Sequence, residues 1–119
     1  MGADLYLLAK RKGNNQITGF ATDLNVGYFR DSYNDSSLFW KFELSWWQDY
    51  GDLLNKKGNL SPKNAVKVLE LLKNNEKVFE ANLEKCSPDD KKYFIKKYET
   101  LKSFLNEAIN LKSEIESSI

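Results

Sequence analysis

The chain opens on an apolar run, Leu5-Tyr6-Leu7-Leu8-Ala9, so Ala3 to Lys10 reads as a first strand. The turn Lys10-Arg11-Lys12-Gly13-Asn14-Asn15 follows. Gly and Asn tolerate positive φ, which suits a hairpin loop. Gln16 to Ala21, with Ile17, Gly19 and Phe20, reads as a second strand. Thr22 to Gly27 is a connection with Asp23 and Asn25 as turn formers. Tyr28 to Asn34 opens either a helix or a loop, because the run from Asp31 to Ser37 is poor in helix formers and rich in capping residues.

Helical spacing then takes over. Asp35 or Ser36 caps a helix expected from Ser37 to about Tyr50. Trp40, Leu44 and Trp47 lie on one stripe of it, and Phe42 and Trp46 on another, so its apolar arc is wide. Gly51 to Leu60 reads as a loop. Ser61-Pro62 starts the next helix, with Ser as N-cap and Pro in the first helical position. Ala65, Val68, Leu69 and Leu72 form its apolar face, and it either runs through Asn74-Asn75 to Leu83 or breaks there. Ser87-Pro88-Asp89-Asp90 repeats the start signal, with acids placed to complement the helix dipole. A last helix is expected from about Asp89 to Glu116, with Phe94, Tyr98, Leu101, Leu105, Ala108 and Ile115 on its face and Lys112 interrupting the spacing. The pattern as a whole predicts one α+β domain over residues 1–119, a short N-terminal β-hairpin followed by three or four helices that dominate the mass.

Composition narrows the chemistry. A chain of 119 residues buries roughly two-thirds of its unfolded surface, enough for a core. The net charge of +1 lacks the basic footprint of a non-specific duplex binder, so nucleic acid is not an expected partner. The N-terminus has no signal-peptide pattern, and its apolar run is far too short to span a bilayer, so the expected location is the cytoplasm, without membrane contact. The single cysteine, Cys86, forms no intrachain disulfide, which suits a reducing compartment, and it reads as a small, partly buried residue. The absence of histidine removes Ser-His-Asp and Cys-His catalysis and most zinc sites. Asp4, Asp23, Asp31, Asp49 and Asp52 match no metal-loop spacing. No catalytic residue, metal or cofactor is expected. Lys91, Lys92, Lys96, Lys97 and Lys102 alternate with acids and read as a solvated helix face.

Residues 27–50 hold all three tryptophans, together with Tyr28, Tyr33, Tyr50 and one of only two arginines, Arg30. A guanidinium grips phosphate or carboxylate with two parallel bonds. Arg30 beside Asp31, Tyr28, Tyr33 and Asn34 therefore reads in two ways. It holds an anion while Tyr28, Tyr33, Trp46 or Trp47 stacks a ring and Asn34 and Asp31 orient it, or it orders the loop through Asp31 or Asp49. Trp46 and Trp47 point about 100° apart on a helix, so one can serve the core while the other faces a groove or partner.

The opening Met1-Gly2-Ala3-Asp4-Leu5-Tyr6, the central Gly27-Tyr28-Phe29-Arg30-Asp31-Ser32-Tyr33-Asn34 and the later Ser45-Trp46-Trp47-Gln48 together resemble an uncharacterised group of small phage and prophage proteins. The resemblance covers roughly the first half of the chain. It implies an accessory or counter-defence factor in the host cytoplasm that works by binding. Two modes fit: sequestration of a nucleotide-type signal, often by a homo-oligomer, or inhibition of a host defence protein through an aromatic surface. An enzyme using Asp, Lys or Tyr alone, and a virion component, are further classes.

Overall fold

The computed structural model describes residues 2–10, 22–34 and 36–119. The strand expected at Gln16 to Ala21, most of the hairpin loop before it and the Asp35 cap lie outside the described residues. The α+β reading holds. A four-stranded antiparallel sheet has the order β2-β1-β4-β3, built from β1 (Gly2–Leu7), β2 (Tyr28–Ser32), β3 (Asn59–Leu60) and β4 (Ile115–Ser118). The helices are α1 (Leu38–Lys41), α2 (Pro62–Asn74), α3 (Glu76–Leu83) and α4 (Pro88–Asn110).

Strand alternation sorts the two sheet faces. Ala3, Leu5 and Leu7 of β1, Phe29 of β2, Leu60 of β3 and Ile115 of β4 are all fully buried. Leu5 lies opposite Phe29, and Ile115 lies opposite both Leu7 and Leu60. Phe29 meets Phe104 of α4 with ring centres 5.9 Å apart. On the other face Asp4 lies opposite Arg30, and Tyr6 opposite Tyr28 with the rings stacked at 5.2 Å. The chain reaches β2 through Gly27, where φ is 68° and any Cβ would lie 3.0 and 2.9 Å from the Cβ atoms of Leu7 and Lys10, leaving no room for a side chain.

Helix starts match the sequence signals. Ser61 and Ser87 accept from the backbone N–H groups of Asn64 and Asp90, with Pro62 and Pro88 just inside. The break at the Asn pair is the correct alternative, since α2 ends at Asn74 and α3 starts at Glu76. Three expectations are corrected. Tyr28 to Ser32 is a strand rather than a helix or loop. The helix expected from Ser37 to Tyr50 is two pieces, α1, capped by Ser37 itself, and a π-helical turn at Trp46–Tyr50 capped by Ser45. The last helix stops at Asn110, and Ile115 belongs to β4.

One device ends both helices early. After α1, Leu44 N–H donates to Phe39 and Glu43 N–H to Trp40, with Glu43 at φ 56°. After α4, Ser113 N–H donates to Ala108 and Lys112 N–H to Ile109, with Lys112 at φ 51°. These are Schellman caps with a charged residue in the left-handed position that glycine usually takes. The four-residue α1 is held from outside as well, because Asn75 and Asn82 amides donate to the carbonyls of Phe42 and Lys41 at 3.0 and 2.9 Å. Phe42 stacks on Phe79 at 4.3 Å, and both meet the edge of Tyr98, which ties α1 to α3 and α4. Among the described residues no helix is long and apolar enough to cross a membrane.

Candidate functional site

A cleft of about 530 Å³ opens between β2 and α4. That volume falls in the range of small-molecule sites, roughly 300–1,000 Å³. The sheet side contributes Phe29, Arg30, Asp31 and Ser32, with Thr22 and Ser36 beside them. The helix side contributes Tyr93, Lys96, Lys97 and Thr100. The spacing i, i+3, i+4, i+7 puts those four on one stripe of α4, next to the apolar stripe that packs on the sheet.

Thr22 seals the strand beside the cleft. Its hydroxyl accepts from the Arg30 N–H at 2.9 Å and donates to the Arg30 carbonyl at 3.4 Å. Arg30 itself points to the outer face, where its Nη1 stands 3.7 Å from Asp4 Oδ1. Asp4 also accepts from the Tyr28 hydroxyl. Burial, helped by that acceptor, pushes the Tyr28 phenol up to about 12.

Asp31 points the other way and is completely buried. Its carboxylate accepts from the backbone N–H groups of Leu38 and Phe39 at 2.8 and 3.1 Å, from Ser37 Oγ at 3.0 Å and from Trp46 Nε1 at 2.8 Å. Lys97 Nζ stands 2.9 Å from its other side. One side chain thereby caps α1, fixes Trp46 and anchors α4 to β2. Its cation is Lys97, and Asp49 instead accepts from Ser45 N–H at 2.7 Å.

The seven residues singled out in the sequence do not converge. Arg30 and Asp31 line the cleft. Tyr28 lies under the outer face, nearly fully buried. Trp46 is buried, stacked on Phe39 at 3.7 Å with the rings 7° from parallel. Trp47 is 66% exposed and rests against Tyr33, away from the cleft lining. Burial raises the Tyr33 phenol above its ordinary range. Asn34 is an exposed turn former whose amide oxygen accepts from Ser36 N–H at 2.9 Å. Tyr93 supplies the aromatic wall in their place, 52% exposed. The lysine face of α4 is more than the solvated face its sequence suggests, since Lys96 and Lys97 line the cleft. Their spacing from Tyr93 and Thr100 was visible in the sequence, but the strand they face was not.

The cleft can hold a small anion with a flat ring, using the lysines of its α4 wall, one open phenol and several hydroxyls. Among the described residues no group of three or more Cys, Asp or Glu side chains is arranged to hold a metal ion. No protein-family model, curated protein or solved structure matches this chain.

Proposed function

We propose that this is a non-enzymatic, phage-related binding protein that sequesters a small anionic, nucleotide-type ligand in the β2–α4 cleft, as a counter-defence factor in the host cytoplasm. The observation that carries the reading is the pairing of Lys96 with the exposed Tyr93 ring on the α4 wall of one cavity. Cation and ring together recognise phosphate and base. Binding without turnover is supported by Asp31, the one carboxylate in the lining, whose oxygens are already occupied by five protein donors. The phage setting rests on the resemblance of the Gly27–Asn34 and Ser45–Gln48 segments.

A thermal-shift screen against cyclic nucleotides, cyclic oligonucleotides and ADP-ribose derivatives tests this. A ligand at one hundred times its Kd adds about 2.7 kcal/mol, a shift on the order of 10 °C for a domain of this size. The ligand is expected back chemically intact, and conversion to product would overturn the non-enzymatic reading. Tyr93→Ala is expected to abolish the shift. Arg30→Ala should lower the Tm by only a few degrees, because a partly exposed ion pair such as Arg30–Asp4 contributes about 0–1 kcal/mol. Unfolding of the Arg30→Ala chain would assign the residue to structure instead.

One further observation favours a second reading, inhibition of a host defence protein. Trp47 and Trp40 are 66% and 50% exposed, and large exposed aromatics are the residue types that anchor protein interfaces. In that case the nucleotide screen stays silent, and Trp47→Ala removes a complex formed with the host protein.

A further inference from the structure

Resting on the reading of the cleft as a nucleotide site, we infer that its anion subsite centres on Lys96 rather than on Arg30 or Lys97, and that its ligand is a singly charged phosphodiester, a cyclic mononucleotide. The three cations of the cleft differ in what they already hold. Lys97 stands 2.9 Å from the buried Asp31, and its side chain is only 13% exposed. Drawing it toward a ligand would strand a buried carboxylate, which costs several kcal/mol. Arg30 faces Asp4 across the sheet at 3.7 Å. Lys96 is exposed, and among the described residues no carboxylate lies within ion-pairing distance of it. With Asp31 and Asp4 set against Lys97 and Arg30, one positive charge in the cleft is left for a ligand.

The ring and that charge are neighbours. Tyr93 and Lys96 are three residues apart on α4, so their Cβ atoms lie about 5–6 Å from each other. Lys97 Nζ sits 5.4 Å from the centre of the Tyr93 ring on one side and donates to its hydroxyl at 3.3 Å. That holds the phenol in place, and the residue stays 52% exposed, which leaves ring surface for a base. A ligand stacked there brings its phosphate to Lys96 one turn along. Strand β2, with Thr22 beside it, closes the opposite wall, toward the sugar. One open ring and one unpaired cation suit one base and one negative charge. A second phosphate would enter a cleft whose other cations are committed, and its charge would be left without a partner.

Titration calorimetry of the full chain with cyclic AMP, cyclic GMP, AMP, ATP and a cyclic dinucleotide tests the assignment. A cyclic mononucleotide is expected to bind at least tenfold more tightly than ATP or the cyclic dinucleotide. Lys96→Ala is expected to weaken it at least tenfold with Tm unchanged, and Lys96→Arg to restore it. Tighter binding of the more highly charged nucleotides, or a Lys96→Ala variant that binds as well as the parent, overturns this inference while leaving the cleft as a nucleotide site. If none of the five binds, this inference falls, and the nucleotide reading falls with it only when the wider thermal-shift screen is silent as well.

Discussion

Asp31→Ala is expected to remove about 3–5 kcal/mol of folding free energy, the scale on which breaking one side of a buried ion pair is felt. Against a total of about 5–15 kcal/mol for a domain, that leaves the chain marginal or unfolded. The physical basis is the set of donors left behind. Lys97 would keep its charge with no carboxylate, and Trp46 Nε1 and the N–H groups of Leu38 and Phe39 would lose the buried acceptor they share. Each buried donor without a partner costs about 1–3 kcal/mol, and the losses overlap because all of them meet at one carboxylate. Asp31→Asn keeps the shape but not the charge opposite Lys97, and is expected to be less damaging than alanine. Urea unfolding of the three proteins measures the order. A loss below 1 kcal/mol in Asp31→Ala would show that the carboxylate does not organise α1, Trp46 and α4.

The second large effect is alkaline unfolding. Tyr50 is fully buried, and desolvation raises its phenol well above the ordinary range although Ser117 bonds to its hydroxyl. Burial pushes Tyr98 up to about 12, with Glu76 adding to the rise, and Tyr28 stands at about 12. In the unfolded chain all three ionise near 10. Their stabilising contribution is therefore intact below pH 10 and is lost as pH rises toward their folded values, because the native state then binds more protons than the unfolded one. Three such groups give a slope of up to about 4 kcal/mol per pH unit, so stability should be flat to about pH 9.5 and nearly gone by about pH 12. Tyr98→Phe, at matched stability below pH 9, should reduce the slope by about a third. Ultraviolet difference absorbance follows tyrosinate directly. Ionisation of all six tyrosines near pH 10 with the fold intact would contradict the expectation.

Local chemistry was legible in the sequence, and long-range chemistry was not. Ser61-Pro62 and Ser87-Pro88 mark helix starts because a cap is made within four residues. The helix ends were hidden because Glu43 and Lys112 occupy left-handed positions where glycine would have signalled a stop. The interruption of the apolar spacing at Lys112 was the trace that remained. The sheet was only partly visible, since β3 has two residues and β4 four, and both are strands only because β1 lies alongside β4. In β2, a buried Asp31 in the inward series with Phe29 disguised the alternation. The same carboxylate explains the partial view of the site. Arg30 stands out in the sequence as a rare arginine, and Asp31 reads there either as orienting a ligand or as Arg30's partner; its carboxylate holds Lys97, Trp46 and the start of α1. Lys96 reads in the sequence as part of a solvated face, and only the packing of α4 against β2 puts it with Tyr93 in a cleft.

Amide chemical-shift mapping during titration with cyclic AMP or cyclic GMP shows most directly whether a nucleotide enters that cleft. Perturbations are expected at Arg30 and Ser32 on β2 and at Tyr93, Lys96 and Thr100 on α4, with Tyr33 and Trp47 unmoved. Shifts confined to Tyr33, Trp40 and Trp47, or no shifts at all, would contradict the cleft as the binding site.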